Sequence, residues 1–182
     1  MSKTLGNVID PFELVKKHGA DALRYYLLRE TSPTSDGDFS ETRFKEVYNA
    51  DLANGLGNLV ARVARLCENA EINFDPNQYT QPKLNKKIKE YLEKFQFNRA
   101  LEYIWGSDIK WGLRWLDQEI DREQPWAIKD RKKLEDLLIH LYVFNLRDIA
   151  YNLRPFLPET AEKILNQFSG KIKSSPPLFP RI

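Results

Sequence analysis

Residues 41–70 read ETRFKEVYNADLANGLGNLVARVARLCENA, and the spacing of their apolar side chains decides the fold class. Tyr48, Leu52, Leu56, Leu59, Val63 and Leu66 recur at steps of four and three, which draws one continuous stripe down a long helix. A stripe of that length has to lie against other helices, and Ser40, just before it, is suited to cap its start.

Working outward, the neighbouring segments supply those helices. Pro11 fits the first turn of a short helix that stops at Gly19, and residues 20–30 carry Leu23, Tyr26 and Leu27 at helical spacing. TSPTSDGD (31–38) is loop chemistry and separates a small leading unit from the main body. After the long helix, NFDPNQYTQP (73–82) reads as a second loop, KLNKKIKEYLEKF (83–95) starts another helix, and residues 98–122 read as a further helical run closed by Pro125. A long helix over roughly 132–155 and a short one over 159–168, stopped by Gly170, complete the pattern, and KIKSSPPLFPRI (171–182) is an extended tail. The sum is a mainly α protein, an antiparallel helix bundle behind a smaller unit in which short β-strands are allowed. The expected division is 1–39 for the leading unit, 40–170 for the bundle and 171–182 for the tail.

The 182 residues are 42% hydrophobic and 30% charged, ordinary for a soluble globular chain. Cys67 is the single cysteine, which excludes an internal disulfide, and His18 and His140 are the only histidines, too few for a metal cluster. No apolar run reaches the eighteen or so residues of a membrane span and the start lacks the apolar segment of a signal peptide, so a cytoplasmic, membrane-free setting is expected. A net charge of +2 leaves any anionic partner to be argued from local residues.

Two local features carry chemistry. Asp51, Asn54, Asn58, Arg62 and Arg65 follow one another at steps of three, four, four and three, a polar line beside the apolar one. It reads either as the solvated flank of the helix or as a reader of nucleic acid, because Asn and Arg present paired hydrogen-bonding groups that match base edges. Gln124-Pro125-Trp126 places a large ring on a turn, either as a plug between helices or as a platform for an unstacked base. Trp105, Trp111 and Trp115 sit at mixed helical positions and read as packing residues.

Taken together these pieces resemble the methionyl-tRNA synthetase family of class I synthetases. The signature loop of that class, lysine-methionine-serine-lysine-serine, is followed by Leu-Gly-Asn-Val, and this chain shows Met1-Ser2-Lys3-Thr4-Leu5-Gly6-Asn7-Val8. The first lysine of the loop would precede Met1, which implies a chain cut inside that loop, with a coincident initiator methionine as the other reading. GADALRYYLLRE (19–30), DGDFSETRF (36–44), YNADLANGLGNLVARV (48–63), EQPW (123–126) and PLFPRI (177–182) resemble the family in the same order. GADALR is shared with isoleucyl, valyl and leucyl relatives, whereas the later motifs resemble the methionyl branch.

The resemblance implies an anticodon-binding bundle that reads CAU on tRNA(Met), with Asn58, Arg62 and Trp126 as anticodon contacts and Asn54, Arg65 and Asp117 as possible further contacts. Asp117 stands where the family commonly has asparagine, and an acid facing RNA would be repulsive. The remnant Ser2, Lys3 and Thr4 matches the loop that grips ATP, with Lys3 as the phosphate-facing charge. Residues 5–39 resemble the stem-contact region that joins this loop to the bundle, and the catalytic domain of the same polypeptide is the implied intramolecular partner. The parent would be a methionine-tRNA ligase using ATP with Mg. This chain lacks the His-x-Gly-His type motif, the His18-Gly19 pair reading as a helix end, so it is expected to have no complete catalytic set, no metal site, no cofactor of its own and no aminoacylation activity alone. The alternatives are the corresponding domain of a valyl or isoleucyl enzyme, and a structural helical module that binds protein.

Overall fold

The computed structural model describes residues 10–31, 39–106 and 111–182. The first helix, α1 (Pro11–His18), has Pro11 in its first turn and the Asp10 carboxylate accepting from the Phe12 N–H at 2.8 Å. It ends at Gly19, whose φ of 85° turns the chain directly into α2 (Ala20–Glu30). The His18-Gly19 pair is therefore a helix junction. His18 lies 5.3 Å from the Phe44 ring, and burial, helped by Lys17 and Lys45, lowers its pKa.

Residues 41–69 form one long helix, α3, with the Ser40 hydroxyl accepting from the Arg43 N–H at 3.3 Å at its start. Its first and last thirds, Glu41–Val47 and Asn58–Asn69, are α-helical, and its middle, Tyr48–Gly57, is wound as a π-helix. Five-residue hydrogen-bond steps make those middle turns wider than α turns, which suits the four-residue steps from Tyr48 to Leu52 to Leu56. Gly57 belongs to this winding, because a Cβ there would sit 3.0 Å from the Leu52 carbonyl oxygen. Tyr48, Leu52, Leu56, Leu59 and Val63 are all buried and Leu66 is half-buried.

After α3 the chain forms a two-residue strand, β1 (Asn73–Phe74), a short turn and then α4 (Lys86–Glu93) and α5 (Phe97–Ile104). The helical run expected over 98–122 is divided. α5 ends at Ile104 and α6 (Leu113–Glu123) begins after Gly112. The reason is a close backbone approach, since a Cβ on Gly112 would lie 2.1 Å from the Gly106 carbonyl oxygen. Glycine at position 112 lets the chain pass itself there.

α7 (131–153) is α-helical over Arg131–Leu137 and Phe144–Leu153 with π winding at Leu138–Val143 between them. α8 (Pro158–Gln167) follows, and β2 (Gly170–Lys171) pairs antiparallel with β1, Phe74 opposite Gly170. The strands thus tie the segment after α3 to the start of the tail. In the leading segment, where short strands are allowed by the sequence, the described residues form helices instead. Tyr25 and Tyr26 of α2 are buried, Tyr25 against Trp105 at 4.9 Å and Tyr26 against Phe44 at 5.6 Å.

Buried polar groups stitch the helices together. The Asp21 carboxylate on α2 accepts the Thr160 N–H at 2.7 Å in the first turn of α8. Asn152 on α7 accepts from the Asn85 N–H at 2.7 Å and donates to the Lys83 carbonyl at 3.0 Å, holding the entry to α4. Arg147 on α7 donates to the carbonyls of Leu165 and Phe168, both at 2.7 Å, where α8 ends. Cys67 is buried, and burial pushes its thiol up to about 12. Among the described residues no helix is long and apolar enough to cross a membrane, and no cluster of His, Cys, Asp and Glu has the grouping to hold a metal.

Candidate nucleic-acid interface

The Pro-Trp turn is built by the end of α6. Gln124 adopts a left-handed conformation, φ 43° and ψ 60°, and its N–H closes on the Ile120 carbonyl at 3.1 Å. Pro125 then starts a single 3₁₀ turn to Ala127 and is itself buried, which fixes the turn against the bundle. Trp126 is 62% exposed. Between the two readings open at the sequence level, plug or outward ring, the geometry is that of the outward ring. The other tryptophans pack as expected: Trp105 is buried, and Trp111 and Trp115 are half-buried, the Trp111 indole N–H donating to the Asp148 carboxylate.

The polar line on α3 does not stay on one solvated face. Asp51 lies in the π-wound part and turns inward, accepting from the Tyr25 hydroxyl at 2.8 Å with Arg29 at 4.0 Å and Arg114 at 3.9 Å. Burial and the Asp51 carboxylate together raise the Tyr25 pKa. The wide turns carry residue 51 out of the α-helical register that the three-and-four spacing assumes. Asn54, Asn58 and Arg65 are exposed. Asn54 accepts from Arg181 Nε of the tail at 2.9 Å, and Asn58 makes no hydrogen bond through its amide among the described residues.

Arg62 is held as a fork. One terminal nitrogen donates to Asp117 Oδ1 and the other to Asp121 Oδ1, both at 2.6 Å. Desolvation pulls its pKa down, but hydrogen bonds and charge from Asp121 and Asp117 outweigh that and leave it raised. Asp117, the residue that departs from the asparagine common in the resembling family, therefore points at the arginine one helix away.

These bonds settle which site residues meet. Arg62 on α3 is joined to Asp117 and Asp121 on α6, and Asp121 lies five residues before Trp126 on the turn that α6 feeds. Asn58 precedes Arg62 by one helical turn on the exposed side of α3. Arg62, with Asn58 one turn before it, is thus joined to α6, the helix that leads into the Trp126 turn, whereas Asp51 is half-buried against Tyr25 of α2. Ser2, Lys3 and Thr4 lie outside the described residues. Sequence reasoning missed Asp121 and Arg181. Asp121 had a signal, because it follows Asp117 at the four-residue spacing of one helix face. Arg181 had none, since only the fold brings the tail to α3.

Comparison with known proteins gives first a class and then a family. Residues 1–64 match the family described as tRNA synthetases class I (M). The methionine–tRNA ligase of Clostridium acetobutylicum is 39% identical over 93% of this chain and 28% of its own length. That of Caldanaerobacter subterraneus is 36% identical over 92% of this chain and 28% of its own, and methionine–tRNA ligase 1 of Bacillus anthracis is 35% identical over all of this chain and 32% of its own. Among solved structures, Mycobacterium tuberculosis methionyl-tRNA synthetase in complex with methionyl-adenylate superposes with a TM-score of 0.73 at 25% identity, covering 100% of this chain and 41% of that one. A second structure of that enzyme, bound by methionyl-adenylate, gives 0.78 at 24% identity and supports the fold. The chain is homologous over essentially its whole length to methionyl-tRNA synthetases, and it spans about a third of the length of the relatives it matches.

Proposed function

We propose that this chain is the anticodon-reading part of a methionine-tRNA ligase, recognising the CAU triplet of tRNA(Met) in single-stranded form. The observation that carries the proposal is Trp126, a large ring held 62% exposed on a turn locked by a buried proline and placed at the end of the helix that binds Arg62. Leaving so much of an indole in water forgoes the burial that most tryptophans have, and a base laid on its face recovers it. Asn58 supplies a donor and acceptor that are unpaired among the described residues for a base edge, and the Asp117 and Asp121 carboxylates hold the Arg62 guanidinium in a fixed plane beside it. Residues 40–170 are the proposed reading domain, with 1–39 as the leading unit and 171–182 as the tail. The charging of tRNA with methionine at the expense of ATP is proposed for the longer polypeptide, together with cytoplasmic location.

Acrylamide quenching tests the proposal. Trp126 should dominate the quenchable fluorescence of the chain, because Trp105 is buried and Trp111 and Trp115 are half-buried. A CAU stem-loop should remove that quenching. Persistence of full quenching at saturating stem-loop would contradict the reading and favour a helical module whose exposed tryptophan serves another partner.

Asp117 gives a second prediction. Asp117→Asn removes one negative charge from the edge while Asp121 keeps its bond to Arg62, so affinity for the stem-loop should rise about two- to fivefold at low salt, the gain shrinking as salt is added. An unchanged or weakened affinity in an anisotropy titration would show that the Asp117 bond to Arg62 matters more for binding than its charge opposes it.

A further inference from the structure

The tail after β2 is laid along α3. Phe179 is 7% exposed, its ring meeting Tyr48 edge-on at 5.8 Å. The Asn49 side chain donates to the Ile182 carbonyl at 2.6 Å and accepts from the Ile182 N–H at 3.1 Å. One step back, Arg181 Nε donates to Asn54 Oδ1 at 2.9 Å. Between tail and helix this leaves an open groove of about 310 Å³.

We infer that this groove is a second nucleotide subsite, taking one unstacked base of the bound RNA against the tail with its phosphate on Arg181. The inference rests on the anticodon-reading proposal and deepens it. On the helix side it is lined by Ala53, Gly57 and Ala61; the first two are buried, Gly57 beneath Phe179, and the exposed Ala61 leaves the open floor on which a flat group can lie close to the helix. Pro177 and Pro180, both exposed, form an apolar wall suited to the face of a base, with the buried Phe179 holding the tail behind them. At the rim, the Asn58 amide has both its donor and its acceptor unpaired among the described residues, and Asn54 keeps its NH2 because only its oxygen is engaged. Arg181 spends Nε on Asn54, which aims the guanidinium and leaves both terminal nitrogens, unpaired among the described residues, as a fork for a phosphate. Flat apolar walls, amide edges and an oriented cation together match a nucleotide. Asn58 also stands one helical turn before Arg62, so the groove adjoins the proposed reader.

The test titrates the whole chain with a labelled CAU anticodon stem-loop over a range of salt, for the wild type, Arg181→Ala, Arg181→Lys and Ala61→Leu. Arg181 and Ala61 are exposed, so unfolding midpoints should match and serve as the control. Arg181→Ala should bind about three- to tenfold more weakly at low salt and lose about 0.7 from the slope of log affinity against log salt, the single-strand value for one phosphate. Arg181→Lys should keep that slope. Ala61→Leu fills the floor and should weaken binding with the slope unchanged. Wild-type affinity and slope in both Arg181→Ala and Ala61→Leu, with CAU preference intact, would overturn the subsite alone. A wild-type chain indifferent to the CAU sequence would overturn the anticodon reading and the subsite with it.

Discussion

Trp126→Ala is expected to weaken binding of a CAU anticodon stem-loop by about ten- to a hundredfold, because one base stacked on an aromatic face contributes about 1 to 3 kcal/mol. The same substitution should leave the unfolding midpoint of the protein nearly unchanged. The ring is 62% exposed and the turn is fixed by the buried Pro125 and by the left-handed Gln124, neither of which needs the indole. Binding and stability therefore separate at this residue. Trp126→Phe should fall between wild type and alanine, since a smaller ring still offers a face. Parallel loss of stability and binding in Trp126→Ala would mean that the ring supports the fold, and would remove the main support for the reading.

Arg147→Leu should have the opposite signature, a loss of stability with no selective effect on RNA. Arg147 is buried on α7, and its guanidinium is satisfied by the carbonyls of Leu165 and Phe168 and by the Phe74 ring 5.5 Å away. Burial lowers its pKa from the usual arginine value, yet an arginine side chain keeps its charge in a protein, so the carbonyls at the end of α8 carry the compensation. Each hydrogen bond from a charged donor contributes about 1.5 to 3 kcal/mol, and removing the donor also orphans buried acceptors, so a loss of about 3 to 5 kcal/mol is expected in a urea titration. Arg147→Lys should recover only part of it, because an ammonium can serve the two carbonyls that Nη1 serves but gives up the guanidinium plane beside the Phe74 ring. A loss below about 1 kcal/mol would show that the end of α8 and the β1–β2 pair hold without this clamp.

The parts of the fold that were legible in the sequence are those governed by local periodicity and caps. The stripe from Tyr48 to Val63 is buried as the spacing requires, Ser40 caps α3, and Gly19 turns α1 into α2. The parts that were not legible depend on chain meeting chain. The break within residues 98–122 has a local signal in Gly106-Ser107-Asp108 and Gly112, but only the fold shows that a Cβ on Gly112 would lie 2.1 Å from the Gly106 carbonyl oxygen. Asp51 has the spacing of the polar line, and the π winding of Tyr48–Gly57 together with Tyr25 on α2 turns it inward to a half-buried position.

The same distinction divides the candidate site. Exposure of Trp126 turns on whether Pro125 or the indole fills the space beneath the turn, which periodicity does not determine, and it is the proline that is buried. Arg62 reads as a free cation until α6 lies alongside α3 and brings Asp117 and Asp121 to it. An acid at position 117, repulsive to RNA when considered alone, has a partner only in three dimensions.

The most direct test of the account is a comparison of affinities for three labelled stem-loops carrying CAU, GAU and CAC, measured by anisotropy with this chain at one stated ionic strength. Recognition of base edges by the Asn58, Arg62 and Trp126 edge predicts binding to CAU about tenfold or more tighter than to either altered loop, since reading one base correctly contributes about 1 to 3 kcal/mol of discrimination. Equal affinity for all three loops would contradict it and leave a helical domain that holds RNA through charge alone.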